Sequence, residues 1–184
     1  KQRPTLVTQR LSMLSRKKNQ LFFDKISVKE LAEEYGTPSF VYSEEKIIKN
    51  FLAIKHAFSS IPADICFAVK ANSNIGILQL LARQGAGFDI VSGGELARVL
   101  KAGGDPNKIV FSGVGKQDWE ILEGLNNKIR CFNVESAAEL EKIAQIANSH
   151  RYIAPVSLRV NPNIDAKTHP YISTGLAESK FGIN

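Results

Sequence analysis

From residue 62 onward, short apolar runs alternate with longer amphipathic ones. Runs of strand length fall at 64–69 (DICFAV), 87–91 (GFDIV), 108–112 (KIVFS), 129–134 (IRCFNV) and 156–161 (VSLRVN), with starts roughly 21 to 27 residues apart. Between them, 75–84, 93–102, 117–126 and 136–148 read as helices. In the last, Leu140, Ile143, Ala144 and Ala147 make the stripe of a helix packed on a sheet. Two of these helices open with capping boxes, Ser92-Gly-Gly-Glu95 and Ser136-Ala-Ala-Glu139. Upstream, a third box, Ser27-Val-Lys-Glu30, opens a short helix ending at Gly36. Ile47, Phe51, Ile54 and Phe58 then share one face of a helix over 44–60, before Pro62.

Strand and helix alternating at this pitch imply right-handed βαβ units and a parallel sheet. A leucine-rich solenoid has a similar period, but its asparagine-and-leucine signature is missing. A doubly wound dinucleotide fold carries G-x-G-x-x-G after its first strand, whereas this strand runs into Lys70-Ala-Asn-Ser-Asn. A closed barrel of eight units takes about 250 residues. Five units are legible here, so the expectation is a small open sheet or the first five units of a longer chain's barrel.

Composition supports a folded core: of 184 residues, 43% are hydrophobic and 23% charged. No apolar run is long enough for a membrane span. Two cysteines, Cys66 and Cys131, exclude a disulfide scaffold and a four-cysteine zinc site, and no metal site is expected. Both lie in apolar runs, which points to reduced thiols and a cytoplasmic compartment.

The formal charge of +6 is misleading. Residues 1–20 hold six basic side chains (Lys1, Arg3, Arg10, Arg16, Lys17, Lys18) and no acid, and the rest of the chain is neutral. The globular part therefore offers no footprint for nucleic acid. The basic stretch reads as a disordered extension or an expression remnant, with an organelle import segment as the alternative.

Lys70 ends the first strand, and alternation places it on one face with Cys66 and Ala68. Parallel α/β sheets hold their sites at the carboxyl ends of strands, and a partly buried lysine there suits Schiff-base chemistry. A lysine snorkelling to solvent is the competing reading. Asp89 and Arg159 place charges on strands two and five, with Ser157 and Asn161 in phase with Arg159. They line a site or form a structural pair inside a barrel floor. The segment from Asn161 to Gly182 is long and polar and contains His169, a loop hydrogen-bonder or a site residue. Gly93 and Gly94 offer a weak anion site at a helix start. Gly113 and Gly115 lack phosphate-loop spacing.

Taken together, FAVKAN (67–72), GFDIVSGGEL (87–96), FSGVGK (111–116), FNVES (132–136), LRVNPNIDAKTHPYISTG (158–175) and SKFGI (179–183) resemble the diaminopimelate decarboxylase family. These are pyridoxal-phosphate enzymes on an alanine-racemase-like barrel, and the resemblance covers residues 21–184. It implies a partial (β/α)8 barrel over 37–184, with 21–36 associated with a second, β-sheet domain. It implies that Lys70 holds pyridoxal phosphate covalently and that Asp89 and Arg159 lie around the cofactor. His169 would border the entrance and Lys180 the interface of a homodimer. The implied reaction converts meso-2,6-diaminopimelate to L-lysine and carbon dioxide, with this stretch by itself inactive. The alternatives are a sister decarboxylase of a basic amino acid or polyamine precursor, and a non-catalytic binding homologue.

Overall fold

Leu14–Lys17 (β1) pairs antiparallel with Gln20–Phe23 (β2), and Lys17 faces Gln20. The two residues between them, Lys18 and Asn19, both have positive φ (45° and 65°), the conformation that suits a two-residue hairpin. The computed structural model describes residues 13–164, 167, 169, 174–175 and 180–183. The basic stretch expected as a disordered extension is therefore a hairpin arm from residue 13 onward, and residues 1–12 lie outside the described residues. Its lysines and arginine sit on exposed strand positions and at the turn, which hides the strand pattern behind the charge.

Ile26–Ser27 (β3) adds a third strand, and Val28–Tyr35 (α1) follows at once. The expected capping bond from the Ser27 side chain is not made; the Ser27 backbone pairs with Phe22 in the ladder. Glu44–Ala57 (α2) is the next helix. By compactness the chain divides after Phe51 into two units.

In the second unit five parallel strands stand in sequence order: Cys66–Ala68 (β4), Gly87–Ile90 (β5), Ile109–Phe111 (β6), Cys131–Val134 (β7) and Val156–Leu158 (β8). The intervening helices are Ile75–Arg83 (α3), Gly93–Lys101 (α4), Asp118–Asn126 (α5) and Ala137–Ser149 (α6). Register puts Phe88 beside Ile109, and Ile90, Phe111 and Phe132 in one row; all five are fully buried. This face carries the core, at about 1.5–3 kcal/mol for each large apolar side chain removed from water. The opposite face aligns Ala68, Asp89, Val110 and Cys131, all only half-buried.

An ion pair joins Arg130, just before β7, to Asp64, just before β4. A flat sheet would hold those strands about 14 Å apart. The contact across three strand spacings is the mark of a curled sheet, as in a barrel wall. Beyond β8, Val160 bridges in parallel to Ile183, and the N–H groups of Asn161 and Ile183 donate to Ile183 and Arg159 carbonyls at 2.7 and 2.8 Å. Among the described residues no helix is long and apolar enough to cross a membrane.

Candidate active site

The half-buried face of the sheet opens, at the carboxyl ends of its strands, into a cleft of about 450 Å³ whose lining includes Lys70, Asp89, Ser112, Asn133, Glu135 and Arg159. The volume is within the range of small-molecule sites. Lys70 reaches it by a different route from the one strand alternation suggests. The strand stops at Ala68, and Val69–Ala71 form a 3-10 turn pinned by the fully buried Val69. Asn72 and Asn74 then close the turn: Asn72 Oδ1 accepts the Asn74 N–H at 3.0 Å, and Asn74 Oδ1 caps α3 through the Gly76 N–H at 2.9 Å. The Lys-Ala-Asn-Ser-Asn stretch is thus a turn-and-cap device that sets an exposed lysine at the cleft.

Asp89 faces the cleft from β5. Its Oδ1 accepts the Ser112 hydroxyl at 2.6 Å, and the Asn133 amide donates to that hydroxyl at 2.9 Å. Cys131 Sγ lies 3.9 Å from Asn133 Oδ1.

A structural pair between Asp89 and Arg159 is not what forms. Arg159 follows β8 and donates Nη1 to both oxygens of Glu135, at 3.1 and 3.2 Å. Glu135 also accepts the Gly113 N–H at 3.3 Å and the Gly182 N–H at 3.1 Å, and its side chain is 2% exposed. Sequence reading passed over Glu135 within FNVES. Only its place between the end of β7 and the Ser136 helix cap marks it locally, and its partners are all distant in sequence.

The remaining candidates separate. His169 is exposed and does not line the cleft, and Thr168 and Pro170 beside it lie outside the described residues, as does most of 165–179. Lys180 is exposed, with Nζ 5.4 Å from the Phe181 ring centre. Gly93 is no anion site: its N–H donates to Glu120 Oε1 at 2.7 Å, and a Cβ there would come within 2.4 Å of the Trp119 ring. Lys116 is structural. It is buried against Glu139 at 2.6 Å, with the Gly113 and Asn133 carbonyls at 2.8 and 2.9 Å. Burial pushes the thiols of Cys66 and Cys131 above their ordinary values, so neither is an activated nucleophile.

Residues 44–184 match the family described as pyridoxal-dependent decarboxylase, pyridoxal binding domain. Among curated relatives, diaminopimelate decarboxylase of Haemophilus influenzae is 56% identical over 168 residues, 91% of this chain and 40% of the relative. Diaminopimelate decarboxylase from Helicobacter pylori, solved with L-lysine, is 52% identical with a TM-score of 0.78, covering 83% of this chain and 39% of that one. The M. jannaschii enzyme, also solved with L-lysine, is 41% identical with a TM-score of 0.83, covering 92% and 41%. The chain thus spans about 40% of the length of the relatives it matches. The sheet, its helices and its order are those of the barrel of these enzymes over five strands.

The donor set suits pyridoxal phosphate. A lysine amine can join its aldehyde, a carboxylate fixed as acceptor can orient a cationic amine, and a guanidinium can meet an anion. All three line one cleft at the strand ends. The chain therefore belongs to the pyridoxal-dependent decarboxylases and carries their pyridoxal-binding domain.

Proposed function

We propose that the whole protein decarboxylates meso-2,6-diaminopimelate to L-lysine and carbon dioxide. The observation that carries this reading is the meeting of Lys70, Asp89 and Arg159 in one cleft, in a chain 52–56% identical to diaminopimelate decarboxylases. Lys70 supplies the amine that holds pyridoxal phosphate, set by a turn rather than by a flexible loop. When bound, that group supplies the electron sink into which the bond to the departing carboxylate empties.

The chain's own residues bind and orient. Asp89 is held as an acceptor by Ser112, so it can receive an ammonium group of the substrate or the protonated Lys70 Nζ. Arg159 presents a cation toward the carboxylate or phosphate groups that such a site must hold. His169 is assigned to the entrance and Lys180 to the interface of a homodimer, and residues 21–36 to a β-sheet domain. We place the protein in the cytoplasm.

The test is product analysis. The whole protein with pyridoxal phosphate is given meso-2,6-diaminopimelate, L-ornithine, L-arginine or L-lysine separately. Carbon dioxide and L-lysine from the first substrate, at far higher kcat/KM than release from the others, is the expected result. Preference for one of the others would replace the substrate, and no release from any would remove the activity.

A further inference from the structure

We propose that Glu135 is a positioning residue that keeps the two opposite charges of the cleft, Arg159 and Asp89, apart and fixes where the Arg159 guanidinium points. Arg159 and Asp89 both line the cleft, and an Arg–Asp ion pair between them would silence both. Each is instead given its own partner. Ser112 serves Asp89, and Glu135 takes Arg159 through Nη1 with both carboxylate oxygens.

Burial makes this hold firm. The Glu135 side chain is 2% exposed, so its charge is stable there only while its donors stay in place. Those donors come from three separate segments: Gly113 after β6, Arg159 after β8 and Gly182 near the end of the described chain. Gly182 has φ of +77°, a conformation in which its N–H meets the carboxylate and which side chains disfavour. The residue before it, Phe181, packs its ring on the arginine, its centre 4.9 Å from the guanidinium carbon. One buried carboxylate thus holds the guanidinium directly and, through Gly182, sets the ring that backs it.

The inference rests on the decarboxylase reading only for what Arg159 serves, and its test separates the two. Arginine modification by phenylglyoxal, mapped by peptide mass, is measured in the whole protein and in Glu135→Gln and Glu135→Asp. In Glu135→Gln we expect Arg159 to react about tenfold faster, as a lost charged pair predicts, while the Arg98 and Arg151 rates stay unchanged. Glu135→Asp keeps the buried charge, guards against a misfolded glutamine variant, and should give an intermediate rate at Arg159 alone. Unchanged Arg159 rates in both variants, or equal rises at all three arginines, would overturn the proposal.

A parallel readout is the dissociation constant for pyridoxal phosphate, followed by absorbance. It should rise about tenfold in Glu135→Gln and return toward the starting value in Glu135→Asp. A wild-type protein that forms no pyridoxyl adduct at Lys70 sinks the decarboxylase reading, while the labelling ratio still decides the role of Glu135.

Discussion

Ser112 donates its hydroxyl proton to Asp89 Oδ1 at 2.6 Å. The Asn133 amide donates to the same hydroxyl oxygen at 2.9 Å, so Ser112 links Asn133 to Asp89. Asp89 Oδ1 is thereby oriented by a chain of hydrogen bonds that starts two strands away, in β7. Replacing Ser112 by Ala removes the link without touching the core. We expect kcat/KM to fall about tenfold, the loss of one hydrogen bond to a charged group, with the melting temperature nearly unchanged. Steady-state kinetics beside a thermal melt checks this; an unchanged kcat/KM would show that Asp89 needs no such support.

Lys116 makes the opposite prediction, a loss of stability. Its ammonium is 1% exposed and pairs with Glu139, so removing it leaves a buried carboxylate without its cation. Lys116→Met should cost about 3–5 kcal/mol in denaturant unfolding. Lys116→Met paired with Glu139→Gln should recover part of that. Equal losses in the single and double variants would argue against the pairing as the cause.

Gly93 is fixed by close approach. A methyl group there would overlap the Trp119 ring, with atoms 2.4 and 2.5 Å away. Gly93→Ala must displace that indole, at about 1–3 kcal/mol for an overpacked contact. Trp119 is the single tryptophan of the chain, so its fluorescence reports the shift directly. A variant with unaltered emission and stability would mean that the ring yields freely.

The pair of Asp64 and Arg130 gives a pH signature. Hydrogen bonding to the Arg130 guanidinium, then its charge, holds the Asp64 carboxyl below its ordinary value. The folded state therefore gains from the pair at and above the usual carboxylate range. That gain disappears as the pH falls through the lowered value. Asp64→Asn should melt below the wild type near neutral pH, with the gap closing in acid. A gap independent of pH would assign the effect to packing.

The helices were legible because their apolar stripes and Ser-x-x-Glu starts are local signals. Ser92 and Ser136 do accept the N–H groups of Glu95 and Glu139 at 3.2 Å, although the glutamates reach back one residue further, to Val91 and Glu135. The first hairpin was not legible, because Arg16, Lys17 and Lys18 read as a basic tail while the turn at Lys18 and Asn19 leaves no glycine signature. Lys70, Asp89 and Arg159 could be singled out from their places at strand ends. Glu135 could not, since its importance comes from Gly113, Arg159 and Gly182, which are 22, 24 and 47 residues away. Pairings of that kind are set by the curl of the sheet and leave no spacing to read.

The central claim is that Lys70 holds pyridoxal phosphate in this cleft. Borohydride reduction of the protein with pyridoxal phosphate, followed by peptide mapping, tests it most directly. The account predicts one pyridoxyl adduct, on the peptide carrying Lys70, and its loss in Lys70→Ala. An adduct spread over surface lysines, or one that persists in Lys70→Ala, would contradict it.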